Sequence, residues 1–175
     1  MAISMVCGNF TKFSASKDDP NLGAKFTDWL ERFENELVAW GIKDDCQKKA
    51  LLISNAGDVA WEKWRTCTTA EKGDEKAYTT AKKTLSEYFD KQRDPDFEIT
   101  KFRKCFQKSE QSIDAYVTEL RALAKHCDFG ERVDNEIKLQ IKLHCTSSRL
   151  RRKAFAEPQW ELEDLLKYAR ALEVS

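Results

Sequence analysis

The chain has 175 residues, and its 30 Lys and Arg residues balance its 30 Asp and Glu residues. That length allows one medium domain or two small ones, and the neutral total argues against a dedicated nucleic-acid-binding domain, which would normally be basic. An apolar fraction of 41%, with five Trp and ten Phe, is typical of a soluble globular protein and not of a disordered one. Only three Pro, six Gly and few β-branched runs favour an all-α fold.

Cysteine usage and hydropathy bear on the compartment. None of the six cysteines forms a C-x-x-C pair, and most fall on predicted apolar helix faces or at helix ends. We therefore expect reduced, buried thiols, as in cytosolic proteins. The N-terminus lacks a basic start followed by a long apolar run, and no segment reaches the ~20 apolar residues that span a bilayer. These features predict a cytoplasmic protein with no signal peptide and no membrane partner.

Residues 1–24 are predicted to form an N-terminal arm. Phe10 and Phe13 are apolar, but polar residues, Pro20 and Gly23 interrupt any regular pattern. Two interpretations remain open. The arm is either a mobile tail or an extended peptide that docks Phe10 or Phe13 into a groove of its own domain or of a neighbour.

Apolar residues at three- and four-residue steps predict a bundle of four helices in residues 25–90. The first helix runs from about Lys25 to Trp40, and Gly41 ends it. A capping box of Asp44 and Gln47 precedes the second helix, and Asp58 is placed to cap the third. The fourth helix runs from about Glu75 to Phe89. The charged segment 91–95 ends in Pro95 and is the best candidate for a linker. A second helical domain is predicted for residues 96–175.

The clearest amphipathic helix lies near the start of this second domain. Its apolar face consists of Ile113, Tyr116, Val117, Leu120, Leu123, Ala124 and Cys127. Ser112 is placed to cap its N-terminus and Gly130 to stop it. Upstream, a helix that begins at Pro95 carries Phe102 and Phe106 as a second apolar stripe. The remaining predicted helices are one from about Glu131 to Leu143, one capped by Ser147 with Leu150, Ala154 and Phe155 on its stripe, and one from about Trp160 to Val174.

A polar turn with Gln107 and Gln111 joins the first two helices of this domain, and side-chain amides there can hydrogen-bond the unpaired backbone groups at helix ends. The whole stretch resembles the start of the C-terminal capsid domain in Gag proteins of Ty3/gypsy-type retrotransposons and their domesticated relatives, such as the Arc family. The matching residues are Phe102, Arg103, Gln107, Ser112-Ile113, Tyr116-Val117, Leu120-Arg121, Leu123-Ala124, Cys127 and Phe129-Gly130. Glu110-Gln111 stands where the family has Gly-Glu, and Gln111 can accept a hydrogen bond as that Glu would but carries no charge.

The resemblance implies two small helical bundles, the capsid N-terminal and C-terminal domains, that self-assemble into virus-like shells. The first domain would form rings of five or six copies, and the second would pair rings across two-fold contacts. Many weak contacts made at once would stabilise such a shell. The stretch itself would be structural rather than catalytic, and its homology-region-like residues are Phe102, Gln107, Gln111, Ser112, Tyr116, Leu120 and Arg121.

The sequence contains few residue patterns that are typical of an enzyme, and we assign no catalytic residue, cofactor or metal. No phosphate-binding loop, nucleophile elbow or zinc-protease motif is present. The pairs His126-Cys127 and His144-Cys145 could be imagined as a zinc site. Adjacent residues on a helix point about 100° apart, however, so each pair is a poor chelate.

The strongest charge cluster is the basic run Arg149, Arg151, Arg152 and Lys153. It could contact phosphate, either in RNA packaged inside a shell or in another polyanion. It could also be a solvated helix face beside acidic residues, and the neutral total favours this second interpretation. Those acidic residues are Glu157, Glu161, Glu163 and Asp164. Candidates for an interface or groove, besides Phe10 and Phe13, are the tryptophans near predicted helix ends: Trp40, Trp64 and Trp160.

The sequence therefore predicts a structural capsid protein, from a retrotransposon Gag or a domesticated derivative, that forms intracellular particles by binding copies of itself. Such Gag proteins usually bind RNA through a basic tail or a zinc knuckle. Neither appears in this sequence, so RNA would be an indirect partner. The alternative is a non-assembling adaptor derived from Gag, whose N-terminal bundle binds a short aromatic peptide. An RNA-binding nucleoprotein and an enzyme rank behind these two.

Overall fold

The computed structural model describes residues 10–67 and 77–174, and this part of the chain contains nine α-helices, one 3₁₀ turn and no strand. The predicted all-α fold is therefore confirmed. The helices are α1 (Leu22–Ala39), α2 (Asp45–Asn55), α3 (Gly57–Thr66), α4 (Tyr78–Asp90), α5 (Pro95–Arg103), α6 (Ile113–Ala124), α7 (Val133–His144), α8 (Ser148–Ala156) and α9 (Leu162–Glu173). Two residues covered by the predictions from sequence lie outside the described residues: Cys7, one of the six cysteines, and Glu75 at the predicted start of the fourth helix.

The chain divides between Asp94 and Pro95 into two compact units, which we call the N-terminal unit and the C-terminal unit. In the N-terminal unit, α1, α2 and α3 all pack against α4 around one apolar core. Gly41 ends α1 with a φ of 65°, and the Ile42 amide reaches back to the Leu37 carbonyl oxygen (3.0 Å), as predicted for this glycine. The predicted Asp58 cap is wrong, because α3 begins directly after α2 and leaves Asp58 inside its first turn.

Residues 10–15 form an extended segment, here called the strap, that packs into the core of the N-terminal unit. Phe10 and Phe13 are each 8% exposed. The Trp29 indole donates a hydrogen bond to the Thr11 carbonyl oxygen (2.7 Å), so the backbone of the strap is held as well as its rings. Of the two interpretations of the arm, these residues adopt the docked one, in a groove of their own domain.

In the C-terminal unit, α6 packs against α5 and α7, α8 packs against α7, and α9 packs against all three of α6, α7 and α8. The predicted caps of α6 and α8 are confirmed: the hydroxyls of Ser112 and Ser147 accept the Ala115 and Leu150 amides, each at 3.2 Å. The largest fully buried side chains of this unit are Phe102, Ile113, Tyr116, Leu120, Ile137 and Ile141. The face predicted for the central amphipathic helix therefore does form the core.

Two aromatic residues predicted on apolar stripes are exposed instead. Phe106 is 56% exposed, because α5 ends at Arg103 and the helical spacing that relates Phe106 to Phe102 does not continue that far. Phe155 is 59% exposed. Phe155 follows the buried Ala154 on α8, and successive residues of a helix point about 100° apart. The core therefore contacts Ala154 and leaves Phe155 exposed.

Candidate interaction surface

Both glutamine amides in the turn between α5 and α6 make backbone hydrogen bonds. The Gln107 side-chain NH₂ donates to the Gln111 carbonyl oxygen (2.7 Å), and its Oε1 accepts the Thr146 backbone amide (2.9 Å). The Gln107 backbone amide donates to the His144 carbonyl oxygen (3.2 Å). The Gln111 side chain donates to Glu119 (2.8 Å) on α6. The turn is therefore attached both to the C-terminal end of α7 and to α6.

A buried hydrogen-bond cluster fixes the chain just before this turn. The Cys105 carbonyl oxygen accepts the Tyr116 hydroxyl (2.8 Å) and the Gln140 side-chain amide (2.9 Å). The same Gln140 nitrogen donates to the Arg103 carbonyl oxygen (2.9 Å). Burial raises the pKa of the Tyr116 phenol far above its usual value, so Tyr116 remains a protonated donor. This cluster fixes the backbone that presents Phe106 to solvent.

Three exposed apolar side chains lie on or beside the C-terminal half of α7: Phe106, Leu139 and Leu143, here called the α7 surface. Their exposed fractions are 56%, 41% and 49%. The centroid of the Phe106 ring lies 4.4 Å from the centroid of the His144 ring. Phe106 is therefore at the C-terminal end of α7, where His144 follows Leu143 in the sequence. Leu139 and Leu143 are one helical turn apart, and the uncharged Asn135 extends the line by another turn. Interface cores are likewise enriched in apolar and aromatic side chains, and here the charged Glu136 and Lys142 flank Leu139 at a distance of three residues.

The other homology-region-like residues lie in the interior or at helix contacts. Phe102 and Leu120 are fully buried, and Ser112 is the cap of α6. Arg121 is exposed, and its guanidinium lies 3.1 Å from the Asp134 carboxylate on α7. These residues join α5, α6 and α7 to one another, and α7 in turn carries the leucines of the α7 surface.

The tryptophans proposed for an interface or groove differ in exposure. Trp40 is 42% exposed at the end of α1, near Val38, which is 79% exposed. Trp64 and Trp160 are each partly buried against the core of their own unit. Trp61, in α3, is 51% exposed. The N-terminal unit therefore exposes its own large apolar side chains at the C-terminal end of α1 and in α3.

Four of the five described cysteines are buried: Cys67, Cys105, Cys127 and Cys145. Cys46 is exposed and departs from the expectation of buried thiols. Burial raises the pKa of the Cys105 thiol to about 11 and that of the Cys127 thiol to about 11. A thiol with so high a pKa is a poor nucleophile at neutral pH, because only the thiolate reacts.

Neither metal binding nor membrane insertion finds support in residues 10–67 and 77–174. There, no group of three or more His, Cys, Asp and Glu residues is arranged to hold a metal ion. No helix in these ranges is long and apolar enough to cross a membrane. No family model, curated protein or solved structure matches the chain.

Proposed function

We propose that this chain is a structural protein that assembles with copies of itself into shells, in the manner of a Ty3/gypsy-type Gag capsid region or a domesticated derivative. The α7 surface is the observation that carries the proposal. The resemblance of the stretch around Gln107 and Tyr116 to the capsid family supports it, as does the division into two helical units. In this proposal, Leu139 and Leu143 of one copy pack against the same residues of a second copy about a two-fold axis.

The size of the α7 surface indicates a weak contact. Fully burying a Leu or Phe side chain contributes roughly 1.5–3 kcal/mol, so covering the exposed halves of three such side chains contributes about 3 kcal/mol per copy. A pair of copies would gain roughly 6 kcal/mol, which is comparable with the 4–15 kcal/mol lost when two proteins give up independent motion. A single pair would therefore dissociate readily. A shell that repeats the contact many times gains collectively.

Charge substitutions on the α7 surface test the proposal. The variant Leu139→Asp, Leu143→Asp should be monomeric, because pairing would bury four carboxylates without partners. Ala122→Asp is the control, since it adds one carboxylate at an exposed position on α6 of the same unit. Circular dichroism checks that each variant is folded. Light scattering over a concentration series, with negative-stain microscopy across salt concentrations, then reports the assembly state.

We expect wild type and Ala122→Asp to associate with rising concentration and to form particles tens of nanometres wide, whereas the double variant stays monomeric. A wild-type protein that remains monomeric at every concentration would contradict the proposal. So would a folded double variant that associates as wild type does.

The adaptor alternative has less support. A peptide-binding N-terminal bundle needs an accessible groove, but the groove beside Trp29 holds the chain's own strap. The buried rings of Phe10 and Phe13 would have to leave the core before an external peptide could take their place.

A further inference from the structure

Helix α8 carries four cations and no acidic residue in nine positions. Arg149 lies three residues from Arg152 and four from Lys153, spacings at which like charges on a helix repel. Arg149 also lies in the first turn, where the positive end of the helix dipole disfavours a cation. The charge pattern therefore destabilises α8 unless a group outside the helix compensates for it.

Two of these cations, Arg151 and Lys153, bind groups of the same chain. The Arg151 guanidinium donates to two backbone carbonyl oxygens just beyond the C-terminal end of α7. The Lys153 ammonium lies 2.8 Å from the Glu157 carboxylate. Contacts within the described part of the chain thus account for Arg151 and Lys153 but not for the other two cations, Arg149 and Arg152.

The acidic residues that follow α8 in the sequence have other partners. Glu161 and Asp164 form the capping box of α9, and Glu163 lies 3.6 Å from Arg170. The two remaining arginines of α8 are exposed, and neither forms an ion pair within residues 10–67 and 77–174. These two arginines therefore lie on a solvated face, and the acidic residues that follow the basic run do not pair with them within the described ranges.

An exposed aromatic ring lies on the same side of α8. Phe155 is 59% exposed and follows Arg152 by three residues, which places the two side chains side by side. The Lys142 ammonium lies over the ring, 5.7 Å from its centroid. From Arg149 to Phe155 the helix rises about 9 Å, the length of two to three nucleotides spaced about 3.4 Å apart.

We propose that Arg149, Arg152, Phe155 and Lys142, here called the α8 surface, bind single-stranded nucleic acid without sequence preference. The two arginines contact phosphate oxygens, and a base stacks on the Phe155 ring with the Lys142 ammonium nearby. Cations alone would suit any polyanion, and it is the exposed ring among them that favours a nucleic acid. The α8 surface shares no residue with the α7 surface, so the proposal does not depend on self-association.

Fluorescence anisotropy with a labelled single-stranded RNA of mixed sequence tests this proposal over a salt series. The variants are Arg149→Gln, Arg152→Gln and, separately, Phe155→Ala. Lys104→Gln, Lys167→Gln is the matched control, because it removes the same charge from exposed positions of the same unit. All are measured also in the Leu139→Asp, Leu143→Asp background, where each copy should bind alone, and are compared there only with that background itself, because its new carboxylates flank Lys142.

We expect the arginine variant to bind at least tenfold more weakly at low salt, with a slope of log affinity against log salt that is shallower by about 1.4, or about 0.7 for each lost phosphate contact. Phe155→Ala should weaken binding about fivefold or more without changing the slope, because stacking is not electrostatic. The control should bind as wild type does. No binding by wild type, equal weakening in the control, or an unaffected Phe155→Ala variant would overturn the proposal.

Discussion

The Tyr116 hydroxyl should contribute modestly to stability while Gln140 is present and much more when Gln140 is replaced. The Cys105 carbonyl oxygen accepts hydrogen bonds from both side chains, at 2.8 and 2.9 Å. Tyr116→Phe removes one donor but leaves the carbonyl paired, so the free energy of unfolding of the C-terminal unit should fall by about 1 kcal/mol. Gln140→Met keeps the shape of the side chain but also removes the bond to the Arg103 carbonyl, so it should cost about 2 kcal/mol.

The double variant Tyr116→Phe, Gln140→Met leaves the Cys105 carbonyl oxygen buried without either donor. An unsatisfied buried acceptor costs about 1–3 kcal/mol, so the double variant should lose at least about 1 kcal/mol more than the sum of the single variants. Urea unfolding followed by hydrogen–deuterium exchange of peptides from α6 and α7 measures this unit separately from the N-terminal unit.

Tyr116→Phe combined with Ser147→Ala is the control for this cycle. Ser147 caps α8 and shares no partner with Tyr116, so those two losses should add to within about 0.5 kcal/mol. If the Tyr116 and Gln140 losses were equally additive, the Cys105 carbonyl could not be the shared acceptor on which the reasoning rests.

Three further expectations rest on burial, backbone conformation and pKa. Leu120→Ala, at a fully buried position, should lower the free energy of unfolding of the C-terminal unit by about 2–5 kcal/mol in the exchange assay, and a loss below about 1 kcal/mol would contradict its place in the core. Gly57→Ala should lower the melting temperature, followed by tryptophan fluorescence, more than Gly41→Ala does. Both glycines have positive φ, but only at Gly57 would the added Cβ lie 2.7 Å from the Phe13 carbonyl oxygen, and equal losses would count against that contact. Raising the pH should destabilise the C-terminal unit between pH 9 and pH 11. The pKa of the Cys105 and Cys127 thiols rises from 9.0 to about 11 on folding, so the folded unit retains protons that the unfolded chain releases. Their contribution is complete below pH 9.0 and is lost as the pH passes through about 11, and urea titrations of Cys105→Ala, Cys127→Ala should show a shallower decline.

Several helical features were predictable because their causes are local. The Ser112 hydroxyl caps an amide three residues away, and the apolar face that includes Leu120 follows from the 3.6-residue period alone. The same reasoning was wrong at Phe106, where α5 had already ended, and at Phe155, which follows a buried alanine. The two exposed rings belong to the α7 and α8 surfaces, so periodicity misplaced residues on which both proposals depend.

The candidate surfaces also depend on competition between distant groups. Glu157 pairs with Lys153 at a spacing of four residues, but the Arg151 guanidinium bonds carbonyl oxygens beyond the end of α7. Which arginine stays exposed therefore depends on where α7 and α9 pack, and that information is not contained in the spacing of the charges.

By itself, the sequence determined the all-α class, the caps of α6 and α8, and the buried face of α6. Each of these arises from contacts within one helix or from its amphipathic period, and such contacts span only a few residues. Only the tertiary structure decided that the strap fills the groove beside Trp29, that Leu139 and Leu143 lie uncovered, and that Arg149 and Arg152 have no acidic partner among the residues that the structure describes. These outcomes depend on which surfaces of different helices meet, because burial and charge pairing are decided between elements and not within them.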